Sequence, residues 1–139
     1  MLRVPHRLIP FLHALTLLDI AVALACVAAM LGFWLSWGYL AAETMPARVR
    51  RASAVHGTIG IVTLALLFVA LRRPGPPARF GWMAFVVLVA ALSAGLTIFA
   101  RQVRGREPSS LQVGIHGCLA MLGVVMLVAY FSTPASYAR

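Results

Sequence analysis

The sequence predicts an all-α protein, an integral membrane four-helix up-down bundle that forms a single transmembrane domain over 1–139. Three observations carry this. The 139-residue chain is 62% hydrophobic and only 11% charged, and its mean hydropathy is +0.93; it has too few charges to cover a soluble domain. Its apolar residues gather into four runs, each long enough to cross a hydrocarbon core of about 30 Å at about 1.5 Å per helical residue. The connectors, "ETMPARVRR", "RRPGPPAR" and "RQVRGREPSS", are short, so consecutive helices must lie side by side and antiparallel.

The first run covers about 8–40 and is broken by His13, Asp19 and a few small polar residues. As one helix it would be about 50 Å long, more than the bilayer needs. Trp34, Trp37 and Tyr39 form an aromatic belt at its far interface. Counting back about twenty residues from there reaches Leu15 to Asp19 and leaves Pro10 and His13 near the N-terminal surface. Arg3 and Arg7 ahead of the run imitate a signal peptide, and "ALAC" a lipoprotein cleavage site. The residues before Cys26 suit cleavage poorly, so the expectation is an uncleaved first helix. The second, third and fourth spans are expected at 53–71, 80–100 and 111–131. Gly60, Ser93, Ala94, Gly95, Gly117 and Gly123 are small enough to let backbones approach.

The formal net charge is +9, and every basic residue is an arginine placed near a helix end. Such arginines face lipid phosphates, and no basic module interleaved with aromatics exists, which argues against nucleic acid. Arg3, Arg7, Arg72, Arg73, Arg79 and Arg139 fall on the side of the termini; Arg48, Arg50, Arg51, Arg101, Arg104 and Arg106 fall on the other. The balance leaves orientation undecided by the positive-inside rule. Cys26 and Cys118 lie within apolar runs, and the lack of a C-x-x-C-H motif excludes covalent c-type haem attachment.

The chemistry centres on two segments, "AVHGTIGIVTLALLF" from Ala54 and "GIHGCLAMLGVVMLV" from Gly114. His56 and His116 are sixty residues apart, and Gly57 with Gly117, Ile59 with Leu119, Gly60 with Ala120 and Leu67 with Leu127 follow in register. This is a weak parallel repeat, with little matching between the first and third helices. Both histidines should sit at a similar shallow depth on the side opposite the termini. An ionisable residue inside a span is a functional candidate by default. Two neutral imidazoles can fill the two axial positions of one b-type haem, and Gly60 and Ala120, one turn along the same faces, leave a groove for a flat macrocycle. Arg50, Arg51, Arg101 and Arg104 would face its propionates. The residues alone leave open that each histidine simply bonds a neighbouring carbonyl or sits among headgroups. A zinc site would want four ligands, and near the pair there are only Glu43 and Glu107 in the loops and the inert Cys118. Met30, Met83, Met121 and Met126 are expected as core filler.

These segments resemble the bacterial cytochrome b561 family of small four-helix membrane cytochromes. The resemblance rests on "RLIPFLH" opening the first helix, "VHGTIGIVTLALLFVALRRPGPP" in the second, "LSAGL" in the third and "IHGCLAMLG" opening the fourth. It implies an outer haem on a second-helix and a fourth-helix histidine, which here match His56 and His116. It also implies an inner haem on a first-helix histidine, matching His13, and a late fourth-helix histidine. At that place this chain has "MLVAYFS", with Tyr130 nearest, so one haem is expected and not two. The family implies electron transfer between membrane quinone and a partner protein or oxidant, in the bacterial inner membrane. His13 and Asp19 are candidates for a quinone or second site, against a structural or interfacial role. The alternative function is a haem-free structural or assembly subunit of a larger membrane complex.

Overall fold

The computed structural model describes residues 16–41, 47–72 and 79–132. They form α1 (Leu17–Ala41), α2 (Ala47–Leu71), α3 (Arg79–Val103) and α4 (Ser110–Ser132). All four helices are long and apolar enough to cross a membrane, as expected. His6 and His13 lie outside the described residues, as do Glu43, Arg73 and Arg139.

The described part of α1 starts where a local cap forms. The Thr16 backbone N–H donates to Asp19 Oδ2 at 2.5 Å and its hydroxyl donates to the same oxygen at 2.6 Å, while the Asp19 N–H donates back to Thr16 Oγ1 at 3.3 Å. This is a reciprocal capping box, which satisfies orphan donors of the first turn. Asp19 therefore works locally at the start of α1. Ser109 and Gln112 make the same arrangement at α4, with both bonds at 3.2 Å. Helix α3 ends in a Schellman motif, in which Arg106 N–H reaches Arg101 O at 2.9 Å and Gly105 N–H reaches Gln102 O at 3.1 Å. Gly105 has φ +68°, a conformation open to glycine without a Cβ penalty. Helix α2 begins six residues ahead of the expected 53, because "ARVRRAS" contains good helix formers and nothing to stop it.

Helices α1 with α2 and α3 with α4 make the closest pairs; α2 with α3 and α1 with α4 complete the ring, and the diagonal pairs make no backbone approach. The up-down order is visible at both ends. At one, the Tyr39 hydroxyl near the end of α1 donates to the carbonyl of Pro108, just ahead of α4. At the other, Gly81 near the start of α3 lies against Leu71 and Tyr130, near the ends of α2 and α4.

The half of the bundle near Leu71 and Gly81 is solid. Ala21, Leu67, Ala84 and Leu127 are fully buried, with Ala25 and Leu71 beside them and Leu88, Val124 and Tyr130 packed around the cluster. The packing there is close: a Cβ on Gly123 would stand 2.7 Å from Leu88. Phe68, Trp82 and Phe85 join α2 to α3 with ring centroids 5.6–6.0 Å apart, and the Arg72 guanidinium lies 5.4 Å from the Phe68 ring. Outward faces carry the large apolar side chains, as lipid contact demands. Met30 is 74% exposed and Phe33, Trp34 and Trp37 are also outside. The expected role of methionine as core filler fails for Met30, Met83 and Met121, which point outward; Met126 alone packs on the core. Cys26 and Cys118 are free and exposed.

Leu67→Ala and Leu127→Ala should each lower stability by about 2–5 kcal/mol, because each opens a cavity in a site that cannot collapse. Met30→Ala should change it by less than about 0.5 kcal/mol. Thermal unfolding in detergent micelles, followed by circular dichroism, checks both.

Candidate functional site

The opposite half of the bundle is hollow. A cavity of about 340 Å³ is lined by all four helices, and both His56 and His116 line it. The cavity is within the range of small-molecule and cofactor sites. The two half-buried imidazoles project from the diagonal helices α2 and α4, and their ring centroids are 6.0 Å apart with planes at 87°. Helices whose backbones stay apart are thus linked by these two rings.

Each ring is held in the same way. His56 Nδ1 lies 3.0 Å from the carbonyl oxygen of Ala28 on α1, and His116 Nδ1 lies 2.8 Å from that of Ala91 on α3. A carbonyl only accepts, so Nδ1 must carry the proton, which in a neutral imidazole leaves the Nε2 lone pair free. Four residues after each accepting carbonyl stands a glycine, Gly32 and Gly95. A helical Cβ tilts toward the N-terminus and covers the turn before it; glycine leaves the carbonyl one turn back uncovered. The fit is tight, for a Cβ on either glycine would come within 2.9 Å of the histidine Cε1.

The two halves of this site repeat. Ala28 and Gly32 on α1 correspond to Ala91 and Gly95 on α3, 63 residues later, and the buried Ala21 corresponds to Ala84. His56, Gly60 and Leu67 on α2 correspond to His116, Ala120 and Leu127 on α4, 60 residues later. The expectation of little matching between the first and third helices is therefore corrected. The match consists of small residues on the inner stripe, while the outer residues differ freely.

Gly60 and Ala120 both line the cavity, and a Cβ on Gly60 would meet nothing within 4 Å, so the groove expected there exists. The arginines behave otherwise. Arg50, Arg51, Arg101 and Arg104 are exposed at this end of the bundle, and none lines the cavity. Tyr39, expected in the aromatic belt, turns inward to line it. Gln102 lines it too, and its Oε1 is buried with no hydrogen-bond partner among the described residues. Gln102 stands among the arginines of a connector in the sequence and carries no motif there. Its signal was spacing: it falls seven residues after Gly95 and so shares that face of α3.

Among the described residues no group of three or more His, Cys, Asp or Glu is placed to hold a metal ion. The arrangement instead offers two imidazole nitrogens to a group that supplies its own remaining ligands. Comparison with protein families, curated proteins and solved structures finds no match.

Gly32→Ala and Gly95→Ala should each cost about 1–3 kcal/mol as the added methyl displaces an imidazole. Gly60→Ala, with open space before it, should be neutral or stabilising by up to about 1 kcal/mol. Chemical denaturation of the purified variants separates the two groups.

Proposed function

We propose that this chain is a membrane-embedded b-type cytochrome, in which His56 and His116 hold one haem between them. The observation that carries this is the diagonal pair of imidazoles across a cavity walled by glycine and alanine. Three features support the fit. Metal-bound histidines almost always donate the other ring N–H to a carbonyl or carboxylate, which fixes the tautomer and raises ligand basicity; Ala28 and Ala91 offer that partner. The two ring centroids stand 6.0 Å apart, close enough for both imidazoles to reach one group between them. Finally, Gly60 and Ala120 leave the walls thin where a flat macrocycle needs room.

Held by both His56 and His116, such a haem would supply one-electron transfer chemistry. The chain's own residues would surround it with apolar side chains and hold each imidazole by its Nδ1 on a backbone carbonyl. The solid half of the bundle, around Leu67 and Leu127, favours one haem over two. Electrons would then enter and leave on the side of Tyr39 and Pro108, and transfer across the bilayer would be less efficient than along a haem pair. Membrane quinone and a redox partner protein are the exchange partners this reading implies, with the bacterial inner membrane as its location, as in the cytochrome b561 family that the sequence resembles.

A dithionite-reduced minus oxidised spectrum of protein made with ample haem should show sharp b-type bands and about one haem per chain, lost in His56→Ala and in His116→Ala. A flat spectrum would leave the structural-subunit function instead. Gly60→Leu should fill the groove and reduce haem occupancy at least tenfold, while the haem-free protein unfolds at the same temperature or higher.

A further inference from the structure

Taking His56 and His116 as haem ligands, we infer that the cofactor enters and leaves the cavity sideways, from the hydrocarbon of the bilayer, through an opening between α2 and α3. Among the described residues that line the cavity, four are also exposed: Ala54, Thr58 and Ile61 on α2 and Leu96 on α3. Residues that face both the cavity and the outside mark its mouth, and all four belong to these two helices. The α2 residues have equivalents on α4, 60 residues later: Gly114, Cys118 and Met121. These are exposed too, yet none of them lines the cavity. A site with two matching walls therefore opens on one side.

The side is set by where the helices are tied. At the level of the cavity, α1 meets α2 where Gly32 receives His56, and α3 meets α4 where Gly95 receives His116. The Tyr39 hydroxyl, bonded to Pro108 O, holds α1 to the start of α4. Among the described residues the ring contacts between α2 and α3 all lie in the solid half, where Phe68 meets Trp82 and Phe85. Phe68 follows Ile61 by seven residues and shares its face of α2, so the opening begins where that contact ends.

From Ala54 to Ile61 the mouth runs about 10 Å along α2. It lies inside the apolar span Val49–Leu71 and so faces lipid. The Thr58 hydroxyl donates to Ala54 O at 3.0 Å, which leaves the rim apolar, and a Cβ on Gly57 would meet nothing within 4 Å. An apolar opening along a helix admits a flat, apolar group edge-on, and a porphyrin is such a group. Its ionised carboxylates are costly in hydrocarbon. Because the mouth starts five residues into the span, they can stay at headgroup level while the ring slides toward the histidines.

The repeat supplies the control for a test. Thr58→Cys, in a chain also carrying Cys26→Ala and Cys118→Ala, places one thiol at the mouth; wild type has its free, exposed Cys26 and Cys118, neither of which lines the cavity. Both proteins, made without haem and placed in phosphatidylcholine vesicles, are capped with a bulky, lipid-soluble thiosulfonate. Haem uptake from the vesicles and haem loss to an excess of a scavenging protein are then timed by absorption. Capping Thr58→Cys should slow uptake and loss by the same factor, about tenfold or more, as a raised barrier does in both directions. Occupancy at equilibrium should stay unchanged, and removing the cap with dithiothreitol should restore both rates. Capping wild type should change neither rate. Unaltered rates in capped Thr58→Cys, equal slowing in capped wild type, or faster loss with reduced occupancy would overturn the lateral route while leaving the histidine ligation intact. Wild type that takes up no haem would overturn both.

Discussion

An imidazole inside a bilayer must find a partner for its N–H, and much of this bundle follows from how that demand is met. A polar hydrogen left unpaired in an apolar medium is costly, and almost every acceptor in a transmembrane helix is already bonded along the backbone. The second lone pair of a helical carbonyl is the acceptor that remains. It is reachable only where the side chain one turn later does not cover it. Gly32 and Gly95 meet that condition for the carbonyls of Ala28 and Ala91. The same glycines bring α1 close to α2 and α3 close to α4, which explains why those pairs pack most closely.

The bundle divides its length between two tasks. In lipid the hydrophobic effect does little to associate helices, and contact between small residues and interdigitated side chains must hold them together. Ala21, Ala84, Leu67 and Leu127 supply that contact in one half, with Gly81 and Gly123 receiving neighbouring side chains. The solid half can therefore tolerate a hollow one. On the hollow side, the capping box at Ser109 and the bond from Tyr39 to Pro108 lie at helix ends, where water and headgroups replace packing.

The internal repeat gives this division its symmetry. Each helical hairpin contributes one histidine, one uncovered carbonyl and one fully buried leucine, so the site lies between two equivalent walls. The offsets differ, 63 residues for the odd helices and 60 for the even ones, because three residues separate the lengths of chain between each glycine and its histidine. A connector absorbs that difference without moving either ring off its carbonyl.

By itself the sequence determined the all-α membrane fold, the number of helices and the matched depth of His56 and His116, because each depends on local hydropathy and on spacing along one helix. It placed Gly60 and Ala120 beside the histidines for the same reason. The tertiary structure alone decided which carbonyl each imidazole bonds, since Ala28 and Ala91 are 28 and 25 residues away from their histidines on other helices. It also showed that α1 and α3 match, because the shared signal is the absence of side chains along one stripe, and glycine and alanine are common in any membrane helix. Gln102 was hidden among arginines in a connector; its place became visible only when the end of α3 was seen to wall the cavity. Periodicity reports which face of a helix is apolar. Only packing reports which faces meet, and how much space they leave between them.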